Sequence, residues 1–314
     1  TDRSRGLGDV YKRQVFMWLP LIVAAFAITA CNQVYDDLSG CLGNTITFSY
    51  LADDSKEHIQ EYVDRIDVFI FDTKDESLVE KYHLEKEQLL SPLEIQLPEG
   101  QYRVVALGNA LKETSITGSE SYKNGLVSRP ELLRKDIQSA GTFDKLYLGE
   151  QTITSRTMNE AHDVVRLYSQ HVKIHAEVLP DGDADIQPWF EQNIKNGFRL
   201  EVEPLSARFS FTGTRSGITS FDLPFTAGEK KDRFVLDFNT LRFEDEDSIL
   251  IYLVQNEAVL CTVDVAEYIA QYHKLIRITE RQEAVLPLFF RQNSLSLSIS
   301  VKPWEAIDVV PITD

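Results

Sequence analysis

Polar and apolar residues take turns along most of this chain, and a period of two fits a β-strand rather than a helix. Thr45-Ile46-Thr47-Phe48-Ser49-Tyr50 alternates as a half-buried strand should. Arg65-Ile66-Asp67-Val68-Phe69-Ile70-Phe71 begins the same way and then turns wholly apolar, which suits a central strand. Leu93 to Leu97 alternates, Pro98-Glu99-Gly100 makes a turn, and Tyr102 to Leu107 returns as the next strand. From Lys112 to Arg129 a stretch rich in Ser, Thr, Gly and Asn reads as a long surface excursion, and Phe143 to Leu148 closes this half. The plan repeats with His171 to Val178, an acidic loop, Phe198 to Val202, Ala207 to Phe211, Phe234 to Phe238, Ile249 to Val254 and Leu295 to Val301. Helical signals are short: Ser55 to Tyr62, Pro130 to Ile137 and Val265 to Tyr272. Many strands at short spacing predict an all-β fold of two tandem β-sandwich domains. A polar segment from Asn159 to Asp163 sets the division at 31–162 and 163–314, and 17 Phe and 12 Tyr are available to fill the two cores.

Ahead of the first strand lies a different pattern. Lys12 and Arg13 precede an apolar run from Val15 to Phe26, and the small pair Thr29-Ala30 leads to Cys31. A charged start, an apolar middle and a small-residue exit describe an export signal over residues 1–30. Ile28-Thr29-Ala30-Cys31 resembles a bacterial lipobox, with cleavage between Ala30 and Cys31 and lipid on the Cys31 thiol. The alternative, a single spanning helix, needs about 20 apolar residues, whereas this run is shorter and Pro20 interrupts it. Residues 1–14 do not begin with methionine and resemble adapter-derived sequence, so they carry no weight in the fold.

The net charge is −17. The first thirty residues hold four basic and two acidic side chains, so the part from Cys31 onward carries −19. Such a surface repels nucleic-acid phosphates and anionic head groups, which assigns membrane attachment to lipid and excludes nucleic acid as a partner. With Cys31 acylated, Cys41 and Cys261 are left. An oxidising compartment would let them pair as a disulfide; two separate thiols, with Cys261 buried in a strand, is the alternative.

Motifs that would carry chemistry do not assemble. His171 and His175 would share one face of a helix and bind zinc there, but on an alternating strand they sit ~13 Å apart, on a solvated face. Asp181-Gly182-Asp183-Ala184-Asp185 opens like a calcium loop, yet an EF-hand needs glycine sixth and glutamate twelfth, where Ile186 and Gln192 stand. Pro188-Trp189 also argues against the exiting helix. No G-x-S-x-G, P-loop or G-x-G-x-x-G is present. The expectation is a non-enzymatic protein with no metal and no cofactor.

Three stretches carry a resemblance to a known family. Cys31-Asn32-Gln33-Val34-Tyr35-Asp36-Asp37-Leu38-Ser39-Gly40-Cys41 is similar to the mature start of the FimB-type fimbrial anchor lipoproteins of Bacteroidetes. Val63 to Asp72 resembles the family again, with Leu97-Pro98-Glu99-Gly100-Gln101-Tyr102 and Ala106-Leu107-Gly108-Asn109 downstream, as does Val301-Lys302-Pro303-Trp304-Glu305. The resemblance implies two transthyretin-like Greek-key β-sandwiches and a lipidated subunit at the outer membrane that anchors a surface fimbria and limits its length. It also implies a fimbrial shaft subunit as partner, joined by strand addition. Candidate strands for that exchange are Thr45 to Leu51 and the terminal segment Glu305 to Asp314. A shaft or tip subunit, an adhesin among them, is one alternative. A surface glycan-binding lipoprotein is another, with Trp189 as its exposed sugar platform and Trp304 packed in the core.

Overall fold

The structure is a computed structural model and describes residues 43–133, 139–156, 161–180, 185–292 and 299–302. The first part contains β1 (Asn44–Ser49), β2 (Arg65–Asp72), β3 (Leu78–Glu85), β4 (Leu93–Ile95) and β5 (Gly100–Gly108), with a one-turn helix α1 (Ile59–Tyr62) between β1 and β2. Three short strands follow, β6 (Ser115–Thr117), β7 (Leu126–Ser128) and β8 (Ser139–Ala140), and then β9 (Tyr147–Ser155), β10 (Ala161–Arg166) and β11 (Tyr168–Ser169). These build a sandwich of a three-stranded sheet, β10-β1-β4, on a five-stranded one, β11-β9-β5-β2-β3.

The second part holds β12 (His171–Pro180), helix α2 (Ile186–Asn196), β13 (Arg199–Ser210), β14 (Arg215–Pro224), β15 (Thr226–Ala227) and β16 (Phe234–Leu241). It continues with β17 (Leu250–Gln255), β18 (Ala258–Asp264), helix α3 (Val265–Gln271), β19 (Val285–Gln292) and β20 (Ile299–Lys302). One sheet runs β15-β16-β12-β19-β20 and the facing one β18-β17-β13-β14-β8. The fold is therefore all-β, in two sandwiches, as the alternation predicts.

Strand pairing moves the division between them. β10 lies parallel to β1 along its whole length, Asn44 opposite Ala161 and Ser49 opposite Arg166, and β11 pairs with β9. Residues 163–169 thus complete the first sandwich, past the expected break at 162/163. Of the polar segment that suggested the break, Ala161 to Asp163 are the first residues of β10 itself, and Asn159 and Glu160 lie outside the described residues. A short polar stretch reads alike in a linker and at the start of a half-exposed strand.

The wholly apolar run of β2 has a specific cause. Ile66, Val68 and Ile70 pack into the core between the two sheets of the first sandwich, while Phe69 and Phe71 belong to a second core shared with the following domain. β5 divides likewise, Val104 and Ala106 to one core, Val105 and Leu107 to the other. A strand buried on both faces has no polar face to alternate with.

The stretch from Lys112 to Arg129 is not a surface excursion. β7 pairs antiparallel with the end of β13, Phe209 opposite Val127, and β8 adds to β14. Tyr122, Val127 and Ser128 are buried. The backbone of Gly125 accounts for part of the close fit: a Cβ there would overlap the ring of Phe211. The segments Phe198–Val202 and Ala207–Phe211 are one strand, β13, with a register shift between Val202 and Leu205. The irregularity lets β13 pair with β17 over its first half and with β7 at its end. β14, β18 and β19 complete the fold from stretches that show weak alternation. Asn256 and Glu257, at φ 50° and 62°, form the two-residue turn of the β17–β18 hairpin.

Candidate functional site

The described chain opens directly on β1, which is a central strand. Its residues pair with β10 on one side, and Asn44 to Ile46 pair antiparallel with β4 on the other. Asn44, Ile46 and Phe48 face inward at 3, 0 and 5% exposure. The outward Thr45 and Thr47 hydroxyls both meet the His162 ring, at 2.9 and 3.4 Å. β1 thus plugs a groove between β4 and β10, and withdrawing it would uncover Ile46 and Phe48. Each such side chain is worth about 1.5–3 kcal/mol of burial. Cys31, the expected lipid acceptor, the expected cleavage pair Ala30-Cys31, and Cys41 lie outside the described residues, as do the terminal segment Glu305–Asp314 and Trp304. The strand that leads toward that segment, β20, is paired with β19, Phe290 opposite Val301. Cys261 lies half-buried in β18, and burial raises its thiol pKa.

Immediately after β1 the chain reaches the boundary between the sandwiches. Tyr50 and Tyr147 are both fully buried, 4.7 Å apart and edge to face. Each donates its hydroxyl to Oε1 of Glu283, from the second sandwich, at 2.5 and 2.9 Å. Burial first, then the Glu283 carboxylate, raises both phenol pKa values far above the ordinary tyrosine range. The Asp53 carboxylate accepts the Gln282 backbone N–H at 2.6 Å, and the Gln282 side chain accepts the Ser169 N–H at 2.9 Å. The loop carrying Glu283 is itself held from behind. The Arg242 guanidinium donates to the carbonyls of Ile278, Thr279, Arg281 and Gln282, and Asp245 Oδ1 accepts the N–H groups of Ile278 and Thr279. Sequence reading missed this set, because Tyr50, Asp53, Tyr147 and Glu283 come from distant places and share no spacing.

Three expectations need correction here. His171 is not on a solvated face: it is 2% exposed, donates from Nδ1 to the Leu146 carbonyl at 3.1 Å and packs edge to face on Tyr147. The first sandwich covers the side of β12 on which it stands. His175 is more open and is bracketed by Asp237 at 2.9 Å and Glu177 at 3.3 Å. The predicted exclusion of a helix at Pro188-Trp189 also fails, since α2 begins at Ile186. Proline fits there because the first helical N–H groups have no intrahelical acceptor. The helix buries Trp189 to 6% exposure, with its indole N–H donated to Gln292 Oε1 at 3.0 Å and its ring against Phe234. Trp189 is therefore no sugar platform. Of the acidic loop before it, residues 181–184 lie outside the described residues.

A family model for the fimbrillin-A associated anchor proteins Mfa1 and Mfa2 matches residues 38–310. A search of curated proteins by sequence returned no match. Among solved structures, the fold is similar to that of the fimbrial anchor protein Mfa2 from Porphyromonas gingivalis, with TM-score 0.58 at 16% identity over 82% of this chain and 95% of that one. It is also similar to a proposed adhesin from Bacteroides ovatus, with TM-score 0.68 at 14% identity over 84% of this chain and 94% of that one. A proposed polysaccharide-binding protein from Bacteroides thetaiotaomicron gives TM-score 0.66 at 15% identity, over 84% and 96% of the two chains.

Proposed function

The chain belongs to the family of fimbrillin-A associated anchor proteins, and from that premise we propose that it fixes a surface fimbria to the outer membrane through lipid on Cys31. The observation that carries the reading is the family match across residues 38–310. Two physical points support it. The net charge of −17 repels anionic head groups, which favours attachment by acyl chains, worth about 0.8 kcal/mol per buried CH₂. The groove between β4 and β10 holds the chain's own β1, so it offers no vacancy for a strand from a preceding subunit. A subunit that gives a connection at one end and closes the other terminates a fibre, which is how it would limit fibre length. The partner is then a fimbrial shaft subunit, joined by strand addition, with the segment Glu305–Asp314 as the candidate donor.

Mass spectrometry of the mature protein tests the attachment. An acylated N-terminal Cys31 is expected, and a Cys31→Ala variant should release fimbriae into the medium. Retention of fibres on cells carrying that variant would overturn the anchor role. Deleting residues 305–314 should separate fibre from anchor while leaving the anchor in the membrane; unchanged attachment would remove the tail as donor. The carbohydrate-binding alternative has lost its nominated residue, since Trp189 is buried.

A further inference from the structure

Tyr50 follows the last residue of β1 and, among the described residues, is the first side chain to touch the second sandwich through a hydrogen bond. Its backbone is fixed locally, the N–H donating to Glu57 Oε1 at 2.8 Å and the carbonyl accepting from His58 at 2.8 Å. Ser49, the end of β1, accepts the Leu167 N–H at 2.8 Å. Three residues on, Asp53 accepts the Gln282 N–H at 2.6 Å. Both contacts land on the loop that Arg242 and Asp245 pin to the second sandwich. From Glu283 the chain enters β19, which lies between β12 and β20. The first strand of one sandwich and a central strand of the other are thus joined through the half-buried Glu283 carboxylate, with the Asp53–Gln282 contact beside it.

We propose that the Tyr50–Glu283 contact is a latch, so that β1 leaves its groove only when the second sandwich lets go. The geometry gives the reason. Tyr50 cannot follow β1 outward without breaking its bond to Glu283, and Tyr50 and Tyr147 share one acceptor atom, so losing one donor leaves the carboxylate only partly satisfied in a mostly dry site. Seating of the strand and docking of the domains become one equilibrium rather than two. The latch stands on these contacts alone; its use, keeping the groove shut in a subunit that must not accept a strand, rests on the anchor reading.

Hydrogen exchange measured by mass spectrometry on the purified mature chain tests it without any fimbria. In Glu283→Gln and in Tyr50→Phe, the amides of β1 should exchange about tenfold faster than in the parent, the loss of one charge-assisted hydrogen bond. β12 and β16 should keep their protection. The double variant should exchange no faster than the faster single one, because both changes break the same contact. Tyr147→Phe, which loses a bond to the same carboxylate from β9, should affect β1 less than Tyr50→Phe does. Unchanged β1 exchange in both single variants would overturn the latch, as would acceleration spread equally over every sheet or full additivity in the double variant. None of these outcomes bears on whether Cys31 is acylated, so the latch and the anchor role fail separately.

Discussion

At the scale of single residues, chemistry and surroundings part company most clearly at His171 and Trp189. Both carry polar atoms, and the sequence around each suggests solvent, yet both are buried by elements remote in the chain. Burial lowers the His171 pKa from 6.5, against the pull of Glu283 and with Lys145 and Arg242 opposing the charge. Above pH 6.5 the ring is neutral in folded and unfolded chains alike. Below it the unfolded chain takes up a proton that the folded one refuses, so this residue makes stability fall as pH drops. His58 and His175 have raised pKa values and act in the opposite sense. The parent should therefore lose more melting temperature between pH 7.5 and about 5.5 than His171→Gln does; equal losses would contradict the assignment. Trp189→Ala should cost about 3–5 kcal/mol in urea unfolding, as a large buried ring does. An exposed platform would cost almost nothing.

Among the elements, β1 shows how pattern and placement differ. Its alternation marks it as half-buried, and it is, but the same pattern suits an edge strand or a central one. Pairing on both sides makes it a plug. Ile46→Ala should lower stability by about 2–5 kcal/mol in the same assay. The stretch from Lys112 to Arg129 shows the reverse problem: its composition is that of a loop, and its short strands have no face long enough to read. What fixes them is the edge of β13, which they cover. Gly125→Ala should be destabilising by about 1–3 kcal/mol, because the new methyl meets the Phe211 ring. A neutral result would mean that β7 docks less closely than it does here.

For the whole molecule, the decisive feature is the core that runs from one sandwich into the other. Phe211 of the second lies 4.9 Å from Phe69 and 5.9 Å from Phe71 of the first. Sandwiches joined in this way should melt in one calorimetric transition, and Phe211→Ala should lower its midpoint and split it into two. A parent chain that already gives two well-separated transitions would show the junction to be weak. The sequence by itself determined the all-β class, most of the strands and the resemblance to fimbrial anchors, because alternation and local motifs are properties of neighbours in the chain. Only the tertiary structure decided where the first sandwich ends, which histidine is dry, and that Tyr50, Tyr147 and Glu283 meet. Burial depends on what covers a face, and here the covering elements arrive from more than a hundred residues away: Tyr147 and Glu283 are 136 positions apart.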